Sequence, residues 1–343
     1  MSTHAAPLTH ARGPRLRAAL RRPRVRRGLI AGATVAMLAL AAWGAMHAVQ
    51  PGAFARAFAS ADWSWVLASA LLYAVSQVAS ALVWRCGLTA CGLGALSRRH
   101  VVNAHFIGHG ACELLPAQLG QVVRYAAIRR HPVAADGCPL RLAGSVGAHK
   151  ALDGVVTFIV VAVAALVIPL PSAVSGLRWV SAAVLAGLLI ALVLAWRSDG
   201  ERMLARVPRR LQPLVRGLAH GGAIFTSRRH ALAAVGFQLV AVGARVLSLA
   251  VLLHAFGMPA GAALLVFALM VLSGVLAITP GGVGVREAAL VPALVATYGL
   301  GTDMTLAFSL GIQATALAAT LVCAAFALLS QQLWPPTAAA AAA

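Results

Sequence analysis

The chain is a succession of apolar runs, each about as long as a lipid bilayer is thick, and this restricts its fold more than any other feature. The runs are 28–49, 64–84, 101–128, 143–170, 177–196, 231–256, 260–300 and 304–333. A hydrocarbon core of ~30 Å takes about 20 consecutive apolar residues as a helix. Apolar residues make up 61% of the 343 and charged residues 10%. Soluble domains run near 45–50% and about 25%, so this chain could not cover a soluble surface with polar groups. The expectation is an all-α polytopic membrane protein. Soluble two-domain, disordered, collagen-like and disulfide-scaffold readings are excluded.

Arginine sets the expected orientation. Basic residues number 28 against 8 acidic ones, a formal net charge of +20. One of the basic residues is lysine, Lys150, which leaves 28 − 1 = 27 arginines. Residues 1–27 carry eight arginines and no acid, and the connector 197–229 carries eight more beside Asp199 and Glu201. By the positive-inside rule both are cytoplasmic. Residues 28–49 then read as an uncleaved first span rather than a signal peptide. The links 51–62, 171–176 and 257–260 carry few arginines and belong outside. Both termini are therefore expected in the cytoplasm.

In the connector, Leu204, Val207, Leu211, Leu214 and Leu218 recur at three- and four-residue steps, interrupted by Pro208 and Pro213. That pattern predicts an amphipathic helix lying on anionic inner-leaflet lipid. The arginines lie in loops and form no soluble domain, so nucleic acid is not an expected partner. The five cysteines (86, 91, 112, 138 and 323) are odd in number and form no Cys-x-x-Cys. They suggest neither a disulfide framework nor a zinc site. Residues 334–343 are a low-complexity tail.

Two runs are broken in the middle. Segment 101–128 contains Glu113-Leu-Leu-Pro116-Ala-Gln-Leu-Gly120-Gln-Val-Val-Arg124, with arginines on both flanks. It should enter and leave on the cytoplasmic side. Segment 260–300 contains Ile278-Thr-Pro280-Gly-Gly-Val-Gly284-Val-Arg286-Glu287, with flanks that look external. Proline followed by glycine breaks a helix. Pro116 and Pro280 are 164 residues apart, as are Gly120 and Gly284, and the flanking spans match at the same shift. The unit span, broken hairpin, span thus occurs twice, over about 64–170 and 231–333, in opposite orientations. The expected architecture is six full spans plus two broken re-entrant hairpins in an inverted repeat, or eight spans if 260–300 crosses twice. Inverted repeats with discontinuous helices are a transporter design with the site at the breaks.

Glu113, Arg124, Lys150, Asp153, Arg245, Arg286 and Glu287 lie at membrane depth. Facing lipid, seven charges would cost on the order of 20 kcal/mol, so they must face a polar interior or one another. Four are basic and three acidic, leaving one spare positive charge, which suits an anionic group such as a lipid phosphate. Helices restarting after Pro116 and Pro280 expose N–H groups at a positive end, and Gly281, Gly282 and Gly284 let the backbone approach a ligand. Arg124 and Arg286 follow the breaks, and arginine holds phosphate bidentately. The alternative is internal pairing, Arg286 with Glu113 or Arg124 with Glu287. Arg245 either snorkels or pairs with Glu287. Lys150 and Asp153 form a local ion pair, a gate or a substrate contact, with His149 on the same face. His105, His109 and Glu113 share a helical face, but nothing completes a metal site. No catalytic triad, Walker loop or dinucleotide fingerprint appears, so no cofactor is expected.

Leu114-Leu-Pro116-Ala-Gln-Leu-Gly120-Gln-Val-Val-Arg124 resembles the LP-x-x-x-GE-x-x-R segment of the lysylphosphatidylglycerol synthase transmembrane (flippase-like) family. Pro280-Gly-Gly-Val-Gly284-Val-Arg286-Glu287 resembles its PGG-x-G-x-x-E segment, and Lys150-Ala-Leu-Asp153 its basic-x-x-Asp element. The resemblance covers about residues 28–333. It implies Pro116, Gly120, Arg124, Asp153, Pro280, Gly281, Gly282, Gly284 and Glu287 as signature positions. It also implies a lipid translocase, with stand-alone members linked to hopanoid or glycolipid export. Gln121 stands where the family has an acid, and no aminoacyl-transferase domain follows residue 333, so lysyl-lipid synthesis is not expected. The chain is thus read as a non-enzymatic translocase of a lipid with an anionic or phosphate-bearing headgroup. The alternatives are a membrane-embedded lipid-phosphate transferase or phosphatase, with His109 and Glu113 as its tempting groups, and a non-transporting partner of lipid-biosynthetic enzymes.

Overall fold

The computed structural model describes residues 51–114, 120–131, 139–167, 227–276 and 284–333, with a few single positions between them. The expected spans 28–49 and 177–196, most of the connector, the tail and the breaks Pro116, Pro280, Gly281 and Gly282 lie outside the described residues. The described elements are helical. They are α1 (Pro51–Ala59), α2 (Trp63–Ala90), α3 (Arg98–Leu114), α4 (Gly120–Arg129) and α5 (Pro139–Val167), then α6 (Arg228–Ala255), α7 (Ala263–Leu276), α8 (Val285–Tyr298) and α9 (Thr302–Leu333).

Four of these helices, α2, α5, α6 and α9, are long and apolar enough to cross a bilayer. At 1.5 Å per residue, the 28 residues of α2 extend about 42 Å, beyond a ~30 Å core. α2 runs on to Ala90, past the apolar run that ends at residue 84, because a helix emerging from the core continues through Arg85. α1 is a helix where the sequence suggested only an external link, and it packs on α9.

α3 (17 residues), α4 (10), α7 (14) and α8 (14) extend only about 15–26 Å by the same rise, too short to cross the core singly. The members of each pair touch, α3 with α4 and α7 with α8, as a hairpin requires.

The repeat holds at the level of helix ends. Shifting α2 by 164 residues gives 227–254 against the observed 228–255, and shifting α5 gives 303–331 against 302–333. The equivalent helices α2 and α6 are in contact and antiparallel. The Asp62 N–H donates to the Ala255 carbonyl at 2.9 Å, and the Trp65 and His254 rings meet edge to face at 5.1 Å. Ser69 and Ser248 each donate a hydroxyl to the other's carbonyl at 2.9 Å. Antiparallel packing of equivalent helices means that the two halves are inverted. The halves also interlock: α3 lies against α9, and α7 against α5.

Within lipid the hydrophobic effect does not drive helices together; close packing of small residues and interhelical hydrogen bonds do. Accordingly, α2 turns Ser69, Ser76, Gln77, Ala79, Ser80 and Ala81 inward and Leu67, Leu71, Val75 and Val78 outward. α6 does the same, burying Ala234, Gln238, Ala241 and Ser248 and exposing Leu232, Val235, Leu239 and Leu247. One apolar cluster, with Val83, Leu249, Phe267, Leu294 and Phe308, joins the halves. A second, with Trp84, Leu88, Val101, Ile128 and Leu142, holds the base of the α3/α4 hairpin.

Candidate functional site: a cationic cavity between the halves

The inward polar faces enclose a cavity of about 390 Å³. Its wall includes Arg124 of α4, Lys150 and Asp153 of α5, Arg245 of α6 and Arg286 of α8, so four cations face one carboxylate. Tyr73, Gln77, His105, His109, Gln121 and His149 supply further polar groups.

Arg124 is 2% exposed. It gets there because α3 and α4 touch at their glycines. A Cβ on Gly108 would overlap Arg124, and one on Gly120 would overlap the Cys112 backbone and the Gly108 carbonyl. The guanidinium carbon lies 3.6 Å from the centroid of the Trp84 ring, a cation–π contact worth ~2 kcal/mol when desolvated. Trp84 is fixed by donating its indole N–H to the Ser145 hydroxyl at 3.1 Å. Arg124 Nη1 donates to His149 Nδ1 at 3.2 Å. Its Nε and Nη2 are buried without a partner. These two nitrogens form the edge that grips a phosphate or carboxylate bidentately.

Arg245 and Arg286 make no hydrogen bond or ion pair among the described residues, and the Nε of each is buried unpartnered. An unpartnered edge on a buried charge costs several kcal/mol, so the free Nε and Nη2 of buried Arg124, beside two half-buried arginines, point to a missing counter-charge. The pairings anticipated from sequence do not form. Glu287 accepts from the Gly284 N–H at 2.6 Å and from the side chains of Ser309 and Gln313 on α9. It caps its own helix and is not a partner for Arg124 or Arg245. Gly284, with φ +86°, makes the turn that this cap requires. Its N–H is therefore spent inside the protein rather than offered to a ligand. Glu113 lies 4.0 Å from His109 Nε2, not on Arg286. Glu287 is turned away, and Glu113 lies outside the cavity wall but within the field of Arg286 and Arg245.

Lys150 Nζ is 3.9 Å from Asp153 Oδ2, and Asp153 also accepts from Gln238 Nε2 at 2.7 Å. The local ion pair thus forms, and both residues also line the cavity. Tyr73 Oη and His109 Nε2 are 2.9 Å apart, and His105 Nε2 is 3.3 Å from Gln77 Oε1. Among the described residues no group of three His, Cys, Asp or Glu could hold a metal, and Cys86, Cys91, Cys112 and Cys323 form no disulfide.

Sequence reading missed the contribution of α2. Ser69, Tyr73, Gln77, Ser80 and Trp84 recur every three or four residues in an otherwise apolar helix. Such a polar stripe marks a face turned to a wet interior, and it could have been found before the structure.

Fold and cavity together define a helical, multi-pass membrane protein with a polar chamber between two inverted halves. The chain belongs to the family described as lysylphosphatidylglycerol synthase TM region, which matches residues 29–324. Comparison with curated proteins and with solved structures gives no match.

Proposed function

We propose that this protein is a lipid translocase of the bacterial inner membrane, with both termini in the cytoplasm. It moves a lipid with an anionic, phosphate-bearing headgroup between leaflets, in the service of cell-envelope, hopanoid or glycolipid export. The observation that carries this reading is the trio Arg124, Arg245 and Arg286, which line one cavity with the Nε of each, and the Nη2 of Arg124, unpartnered. The headgroup supplies the missing charge while its tails stay in the bilayer. Alternating exposure of the cavity to the two leaflets moves the lipid, and no bond is made or broken. The inverted halves support such alternation, since exchanging their conformations turns an inward-open chamber into an outward-open one.

The test is a leaflet-resolved flipping assay with the purified protein in liposomes of defined headgroup composition. Flipping of an anionic phospholipid faster than in protein-free vesicles is expected. Wild-type rates equal to the protein-free control would refute the proposal. Lipids chemically altered on incubation with candidate donors would favour the transferase or phosphatase reading instead.

A further inference from the structure

His149 is placed where the Arg124 N–H and a proton compete for one ring nitrogen. Arginine has only donors, so the 3.2 Å contact from Arg124 Nη1 requires an unprotonated Nδ1 on His149. The other ring nitrogen, Nε2, then carries the hydrogen and donates to the Ser80 hydroxyl at 3.2 Å. The ring is 3% exposed and lines the cavity. With these two bonds in place His149 is neutral and in a fixed tautomer, held there by the residue best placed to grip an anion.

The charges around this ring come from every neighbouring element. α4 supplies Arg124, α6 supplies Arg245 and α8 supplies Arg286. Lys150 and Asp153 share α5 with it, already tied to one another. From α3, His105 stands edge to face with His149, centroids 6.1 Å apart, and His109 stacks beyond it, also at 6.1 Å. α2 adds Ser80 and Tyr73, and α7 has no titratable residue. The cations outnumber the carboxylate until an anion enters.

We propose that binding of a phosphodiester headgroup in this cavity takes up a proton on His149. An anion gripped by the free Nε–Nη2 edge draws the Arg124 guanidinium off His149 and frees Nδ1. The freed nitrogen accepts a proton from water on whichever side the chamber is open, and the imidazolium N–H then donates to a headgroup oxygen. Anion and proton are loaded together and released together, so a transmembrane proton gradient can drive the lipid. This inference rests on the anion-site reading above and adds to it an energy source. By linkage, one proton taken up per anion raises apparent affinity up to about tenfold for each pH unit lowered.

The experiment is calorimetric titration of the full chain in phosphatidylcholine nanodiscs with dihexanoyl phosphatidylglycerol. Its phosphodiester does not titrate between pH 5.5 and 8. Repeating the titration in buffers of different ionisation enthalpy gives the number of protons taken up. Uptake approaching one proton per lipid bound, with affinity rising as pH falls, is expected for the wild type. His149→Asn keeps an acceptor near the Nδ1 position but cannot titrate, and it should bind without uptake. His254→Asn, at the end of α6 and outside the cavity wall, should retain uptake. Wild-type binding with no proton taken up would overturn the coupling while leaving the anion site standing. No binding at any pH would remove the anion site itself. Uptake that persists in His149→Asn would assign the proton elsewhere and refute this residue's role. The wild-type measurement decides the matter even where a variant fails to fold.

Discussion

The two hairpins share a backbone plan and differ in almost everything they present. α3/α4 carries His105, His109, Glu113, Gln121 and Arg124. The positions 164 residues further along the sequence are Leu269, Ser273, Ala277, Val285 and Ala288. The second hairpin contributes Arg286 to the cavity and uses Glu287 to cap itself. The difference teaches that symmetry builds the chamber and asymmetry gives it chemistry. An inverted pair of halves provides two related conformations, while the first half, from α2 to α5, holds most of the polar groups. The other half sends in two arginines, from α6 and α8.

The comparison breaks most severely at Arg124. Arg124→Ala should lower flipping on the order of a hundredfold, as expected for loss of a charge-assisted contact of about 3 kcal/mol. Membrane insertion, read by detergent-resistant fractionation and expression, should be unchanged. Arg286→Ala should reduce flipping less, because Arg286 lacks the Trp84 stacking that fixes Arg124 in place. Arg124→Lys should recover only part of the activity, since an ammonium lacks the planar fork. Full activity in both alanine variants would eliminate the anion site.

The paired glycines come next. Gly120→Ala forces a Cβ into the Cys112 backbone, and overpacking of this kind costs about 1–3 kcal/mol. At the equivalent Gly284 there is open space within 4 Å but a φ of +86°, so alanine meets only backbone strain of about 1–2 kcal/mol. Melting in detergent should rank Gly120→Ala below Gly284→Ala. The reverse order would mean that the two hairpins do not differ in packing as the structure has them.

These two residues also show what was legible in the sequence. The break at both sites, the shift of 164 and the opposite loop charges together define an inverted repeat, because prolines, glycines and arginines act locally and leave local marks. Arg124, Lys150 and Arg286 were legible as cavity residues because a charge in an apolar run has few places to go. The partners were not legible. Gly108 matters only because α4 lies on α3, and Trp84 only because Arg124 reaches it from another helix. Glu287 looked like a binding or pairing carboxylate, and its capping role depends on a turn geometry that a sequence does not display.

Glu287 accordingly gives a sharper and smaller test. As a cap, Glu287→Gln keeps an acceptor for the Gly284 N–H but loses the charge–dipole term, worth about 0.3–1 kcal/mol. Melting should drop slightly and flipping should survive. Val123, its equivalent in the first hairpin, caps nothing, so no counterpart effect exists there. Abolished flipping in a stable Glu287→Gln protein would return this carboxylate to the transport chemistry.

The smallest expected difference lies at the first turns of the equivalent spans. Asp62 caps α2, accepting from the Ser64 N–H at 2.9 Å and the Ser64 hydroxyl at 2.6 Å. Ser227, at the corresponding end of α6, makes no cap and bonds instead to His230 Nδ1 at 2.7 Å. The Ser64 hydroxyl and N–H hold the Asp62 carboxyl below its ordinary range. A carboxyl depressed in the folded state stabilises above its unfolded pKa, about 3.9. That contribution is lost as pH falls through the folded value. Asp62→Ala should therefore lower the melting temperature slightly and by a constant amount from pH 8 down to about 5. The gap to wild type should then narrow as the solution is acidified toward and past pH 4. Ser227→Ala should shift melting less at neutral pH, because no backbone donor loses its partner. Equal shifts from the two substitutions would show that the ends of α2 and α6 are capped alike, and the asymmetry between the halves would then be confined to the cavity.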